Sequence, residues 1–253
     1  MSKTNKKCLG IITARGGSKG VPRKNIRKMN GKPLIHYSID LAKACHYITK
    51  ILVTTDDPEI RKVSIEGGAE APFLRPAELS TDLAHQEDAI LHAMDWCEAQ
   101  GERYDRICLL APNHPLGRVE TLNKAFELLE SRPDAEAVFS ITPANVYPQR
   151  CGTLRPDGLM KDWGTPESRW LNRQEMPVAY KLSGFITLSD WKAFRREKTF
   201  LHDKTLQLPV DYVECWDINV PFDFFVAESL LQKGFTDSAQ LAEHFRLPAA
   251  SAK

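Results

Sequence analysis

Short, nearly continuous apolar runs alternate with longer stretches of helical spacing over the first 140 residues. Cys8-Leu9-Gly10-Ile11-Ile12-Thr13 is apolar in almost every position and is followed by glycines, the pattern of a strand buried on both faces. From Pro33, the positions Leu34, Ile35, Tyr37, Ser38, Leu41, Ala42 and Cys45 recur at helical spacing, with proline suited to the first turn. Residues 50–55 predict a second strand, and Asp57-Pro58-Glu59 opens a helix that stops near Gly67-Gly68. A helix over 86–99, a strand over 106–110, a helix over 118–130 and a strand over 135–141 follow. Strand and helix in alternation imply right-handed crossovers. The fold class is therefore α/β: a Rossmann-like, mostly parallel sheet flanked by helices.

The regularity weakens between 144 and 213, where prolines and glycines are scattered and 177–188 reads as extended. We expect an inserted lobe there for substrate, and for dimerisation, within a single domain spanning 1–253. A helix over 222–232 closes the core before Lys233-Gly234, and a short helix with a frayed end is expected beyond 237.

Composition narrows the function. With 34 Lys+Arg against 33 Asp+Glu, the chain lacks the basic excess through which nucleic acid is bound. No apolar run approaches the roughly 20 residues of a spanning helix, so no membrane partner is expected. Six cysteines without a CxxC pair, mostly in apolar stretches, suggest free thiols in the cytoplasm.

The strongest chemical signal follows the first strand: Thr13-Ala14-Arg15-Gly16-Gly17-Ser18-Lys19-Gly20-Val21-Pro22-Arg23-Lys24-Asn25. Paired glycines let backbone N–H groups converge on one point, which suits phosphate oxygens. Arg15, Lys19, Arg23 and Lys24 add four cations, at the carboxyl end of a strand where open α/β sheets bind ligands. The segment is neither GxxxxGK[ST] nor GxGxxG, which disfavours P-loop hydrolysis and dinucleotide binding. A solvated basic turn is the plain alternative.

From Ile11 through Ala14-Arg15-Gly16-Gly17-Ser18-Lys19 to Lys24-Asn25 and Gly31-Lys32-Pro33-Leu34, the chain resembles the acylneuraminate cytidylyltransferase family. Asp56-Asp57, Pro72-Phe73-Leu74-Arg75-Pro76 with Thr81-Asp82, Arg173-Gln174-Glu175-Met176-Pro177, and Asp217-Ile218-Asn219 with Asp223-Phe224 extend the likeness in matching order over about 8–232. The resemblance implies a fold of the nucleotidyltransferase type. It also implies transfer of CMP from CTP to the anomeric hydroxyl of an acidic nonulosonate sugar, such as sialic, legionaminic or pseudaminic acid. Mg²⁺ would assist, pyrophosphate would leave, and the product would serve surface glycans such as lipopolysaccharide. A homodimer with shared sites is implied too, with Phe200 in an arm reaching the partner.

By the same resemblance, Ala14, Arg15, Gly16, Gly17, Ser18, Lys19, Lys24 and Asn25 hold the nucleotide, with Arg15, Lys19 and Asp217 catalytic. Arg75 would read the base, its planar fork suiting bidentate bonds, unless it is an ordinary surface arginine. Asp217 and Asn219, expected near a strand end, would hold Mg²⁺; the family has two aspartates at this spacing, so metal binding should be weaker here. Arg150, Arg173 and Gln174 would face the sugar acid. Asn113 and His114 would also bind substrate, although a structural histidine is the plainer reading of His114.

Departures cluster on the acceptor side. Leu109-Leu110-Ala111-Pro112-Asn113-His114-Pro115-Leu116-Gly117 stands where the family has Leu-Leu-Gln-Pro-Thr-Ser-Pro-Leu-Arg, His85 replaces a small hydroxyl residue, and Ser183 an asparagine. They keep two alternatives open: the same chemistry with another base or acceptor, for example a guanylyltransferase on a sugar phosphate, or a weakly catalytic nucleotide-binding paralogue.

Overall fold

The structure, a computed structural model, describes residues 6–245, and the side chains of all of these but Arg169 and Arg173. Ten strands and seven helices follow one another within it. Along the first half they are β1 (Cys8–Thr13), the small pair β2 (Lys28–Met29) and β3 (Lys32–Pro33), α1 (Leu34–Ala44), β4 (Ile48–Thr54), α2 (Pro58–Glu66), α3 (Gln86–Ala99), β5 (Arg106–Leu109) and α4 (Val119–Ser131). The second half holds β6 (Ala137–Pro143), the hairpin β7 (Gly152–Leu154) and β8 (Met160–Asp162), β9 (Tyr180–Asp190), α5 (Trp191–Glu197), β10 (Thr205–Pro209), α6 (Pro221–Gln232) and α7 (Ser238–His244).

Six strands form the central sheet in the order β10-β6-β9-β5-β1-β4. All neighbours are parallel except those of β9, which runs antiparallel between β5 and β6. β1 is buried along nearly its whole length because its apolar residues face both layers: Ile12 packs with α1 and α4 residues Ile35, Ile39, Leu122 and Phe126, and Leu9 and Ile11 with α3 residues Ile90, Ala93 and Met94. The expected three-layer fold is the observed one. α2 begins where Asp57 accepts N–H bonds from Glu59 and Ile60 at 2.8 and 3.0 Å, a proline-started cap of the expected kind.

Within 144–213, β9 and β10 belong to the sheet, with α5 between them, and the stretch ahead of β9, 144–179, stands off it as the β7–β8 hairpin and three short 3₁₀ turns. Phe185, Ile186 and Leu188 explain the difference, since a run this apolar is buried between β5 and β6 rather than left in a lobe. Residues 246–253, the frayed end of the expected tail helix, lie outside the described residues.

Candidate active site

The carboxyl ends of β1 and β5 open into a cleft of about 500 Å³ lined by Arg15, Ser18, Lys19, Lys24, Asn25, Arg75 and Asn219, among others. β1 stops at Thr13 and the chain turns away through the glycine loop. The loop is pinned at both ends. Ala14 donates to Thr54 O at 3.1 Å, and the buried side chain of Asn25 donates to Arg15 O at 3.0 Å. Gly16 donates its N–H to Asp56 Oδ1 at 3.0 Å. Gly20 has no room for a side chain, because a Cβ there would meet Asn219 O at 1.9 Å. That close approach is the reason for glycine at this position, and it seats the loop directly on the segment carrying Asp217 and Asn219.

The four cations divide. Arg23, in a left-handed turn, pairs with Asp57 and Glu59 and does not line the cleft. Arg15 and Lys19 line it, and both pair with Asp82 at 3.1 and 2.6 Å. Lys24 donates to Ile218 O at 2.6 Å; burial pulls its pKa below the ordinary lysine value, with Asp217 and Asp223 opposing. Arg75 is not a surface residue. It is buried in the cleft wall, donates to Ser80 Oγ at 3.0 Å and lies 3.7 Å from Asp56 Oδ1, and burial lowers its pKa as well.

Asp217 and Asn219 lie in a loop before α6 rather than at a strand end, because no strand flanks them and the backbone N–H of Ile218 is taken by Asn113 O at 3.0 Å. Their side chains nevertheless meet. Asn219 Nδ2 donates to Asp217 Oδ2 at 2.7 Å, and Asn113 Nδ2 donates to Asp217 Oδ1. Asp223 caps α6 instead, accepting from the N–H groups of Asn219 and Val220 at 2.8 and 2.9 Å.

A second cavity of about 390 Å³ adjoins the first and shares Gln86, Ala111 and Asn113 with it. His114, Ser183, Gly184, Thr187, Phe200 and Asp217 are among its other walls. His114 is buried against Phe185, ring centroids 5.8 Å apart, and its Nδ1 has no hydrogen-bond partner. Burial holds its pKa below the ordinary imidazole value, although the charge of Asp217 pulls the other way. Between Phe139 and Ile141 the β6–β9 register breaks, and β9 bulges at Ser183-Gly184 with Gly184 at φ +68°. Ser140 stitches the bulge: its Oγ lies 2.6 Å from Ser183 Oγ and accepts the N–H of Ile186 at 2.9 Å. Bulges re-aim side chains beside sites, and this one opens the cavity wall.

Some expected residues fall elsewhere. Arg150 is exposed on a 3₁₀ turn, donates to Leu171 O at 2.6 Å and lines neither cavity; Gln174 is exposed and likewise outside both. Arg173 opens the third 3₁₀ turn of this segment, Arg173–Glu175, with its side chain outside what is described. Phe200 is packed against Phe194 of its own chain, centroids 4.5 Å apart, where it lines the second cavity. Sequence reasoning passed over Gln86, which reaches from the first turn of α3 to donate to Thr13 Oγ1 at 2.6 Å. A glutamine at a helix start carries no signal of its own.

The cytidylyltransferase family model matches residues 9–241. The chain belongs to the cytidylyltransferase family. Among curated relatives of this cytidylyltransferase, the CMP-N,N'-diacetyllegionaminic acid synthase of Legionella pneumophila is 29% identical over 225 residues, covering 88% of this chain and 96% of its own. A pseudaminic acid cytidylyltransferase of Campylobacter jejuni is 33% identical over 210 residues, covering 82% and 89%. A solved CMP:2-keto-3-deoxy-manno-octonic acid synthetase complexed with CTP superimposes with a TM-score of 0.66 over 90% of this chain and 100% of its own. At 14% identity that likeness speaks for the fold alone.

Proposed function

We propose that this cytidylyltransferase transfers CMP from CTP to the anomeric hydroxyl of an acidic nonulosonate-type sugar and releases pyrophosphate. One observation carries the reading. A cation-rich cleft and a second cavity share the wall Gln86-Ala111-Asn113, so a nucleotide in one and a sugar in the other meet at a single seam beside Asp217. The relatives that act on legionaminic and pseudaminic acids support the acceptor class.

In this reading Arg15, Ser18, Lys19, Lys24 and the amides of the loop hold the triphosphate, and Arg75 meets the base from the cleft wall. The sugar oxygen attacks the α-phosphorus in line with the departing pyrophosphate. The new P–O bond forms as the bond to the β-phosphate oxygen breaks, and the hydroxyl proton passes to solvent. Arg15 and Lys19 meet the negative charge that builds on the phosphoryl oxygens, and Lys24 steadies the leaving group. Holding both reactants at one seam supplies much of the remaining acceleration.

Asp217 is the carboxylate that would hold a magnesium ion; the carboxamides of Asn219 and Asn113, whose N–H groups now donate to it, would have to turn an oxygen toward the ion, and Mg²⁺ needs few protein ligands where phosphates supply others. Bound there, it would neutralise phosphate charge. The reading also carries a cytoplasmic location, for which six free cysteines, five of them buried, give support. No helix among the described residues is long and apolar enough to cross a membrane. A homodimer belongs to the proposal too, supported by the exposed Leu154, Met160, Trp163, Val178, Tyr180 and Leu182 along the segment outside the sheet and the start of β9.

The test is a matrix of the four nucleoside triphosphates against sialic, legionaminic and pseudaminic acids and a set of sugar phosphates, with magnesium. CTP with one of the nonulosonic acids should release pyrophosphate and yield a CMP-sugar by mass. Turnover confined to another base, or to sugar phosphates, would overturn the reading.

A further inference from the structure

Arg15 and Lys19, the two cations given above to the polyphosphate, share one carboxylate. Arg15 Nη1 lies 3.1 Å from Asp82 Oδ1, and Lys19 Nζ lies 2.6 Å from Asp82 Oδ2. Arg15 also donates to Thr81 O at 3.3 Å. Asp82 belongs to the stretch between the 3₁₀ turn Ala77–Leu79 and α3; its neighbour Leu83 is 90% exposed, so little packing holds this stretch down at its tip. The carboxylate lines the same cleft as the cations. Its two oxygens therefore engage the two groups that two oxygens of a phosphate would engage.

We propose that Asp82 is an internal counter-anion of the polyphosphate site, which yields Arg15 and Lys19 when nucleotide enters and reclaims them as pyrophosphate departs. The inference rests on the proposed function and adds a step to its cycle. A ligand that must first free its cations binds more weakly by the fraction of molecules in which they are already free. The exposure of the three side chains, 39% for Arg15, 75% for Lys19 and 52% for Asp82, keeps each pair weak. Weak pairs suit a contact that opens at every turnover. The hydrogen bond from Lys19 holds the Asp82 carboxyl below its ordinary pKa, so the internal anion stays charged at neutral pH. A triphosphate with about four charges displaces it readily, whereas pyrophosphate, no longer tethered through a nucleoside, competes less well.

Calorimetric titration with magnesium pyrophosphate and with CTP, comparing wild type, Asp82→Asn and Asp82→Glu, tests this. Asp82→Asn should bind pyrophosphate about three- to tenfold tighter, the scale of two exposed ion pairs removed, and should show matching stronger product inhibition. Asp82→Glu should stay near wild type. Unchanged or weaker pyrophosphate binding by Asp82→Asn, with CTP still bound by wild type, would overturn the counter-anion while sparing the function. Absence of CTP binding by all three proteins, wild type included, would overturn both.

Discussion

Gly117 lacks a side chain because the ring of Phe185 stands where one would begin: a Cβ at 117 would lie 2.1 Å from Phe185 Cε2. A core aromatic from β9 fills that space and also braces His114. Gly117→Ala should destabilise the protein by about 1–3 kcal/mol through overpacking. Pairing it with Phe185→Leu should recover part of the loss, so the double mutant is milder than the sum. Urea unfolding of the four proteins measures this; strict additivity would mean that the two sites do not touch.

Lys19→Ala removes an exposed ammonium whose ion pair is with Asp82. We expect kcat/KM for CTP to fall about a hundredfold or more, as when a single charge-stabilising donor is lost. The melting temperature should stay within a degree or two. Activity within a few-fold of wild type would remove Lys19 from the chemistry.

Asn219→Asp sets a second carboxylate beside Asp217, where an amide now donates at 2.7 Å. Ligand charge tunes affinity for hard cations. Without nucleotide, Mn²⁺ followed by electron paramagnetic resonance should bind the variant about tenfold more tightly than wild type. Equal affinities would place the metal elsewhere.

Burial of His114 lowers its folded-state pKa below the ordinary imidazole value. The unfolded chain therefore takes up a proton that the native state refuses as pH falls through this range, and stability falls with it. Unfolding midpoints should drop between pH 7.5 and 5.5, and His114→Asn should flatten part of that drop. A variant with the wild-type slope would show that His114 does not contribute.

The alternation of β1, α1, β4, α2, α3, β5, α4 and β6 was legible because each element carries its own period and punctuation. Asp57-Pro58 before α2 and the glycines after β1 are local signals, and the local structure obeys them. The insertion of β9 between β5 and β6 was not legible. Strand partners 37 (Pro143–Tyr180) to 84 (Arg106–Asp190) residues distant leave no mark on composition, and extended residues before an insertion read the same as residues within a sheet. Within the site, the loop cations were found by spacing, but their division was not: Arg23 is diverted by Asp57 and Glu59, and Arg15 and Lys19 by Asp82. Such pairings come from elements brought together only by folding. The same holds for Gln86, and for Asn113 in its contact with Asp217.

The bulge at Ser183-Gly184 is held by the hydroxyl of Ser140, which stands behind the cavity wall and is absent from its lining. Retargeting campaigns that randomise only the visible lining would inherit one fixed contour. Diversity at 140, introduced jointly with 183 and 184, is the route by which the repertoire of accepted sugars could be broadened.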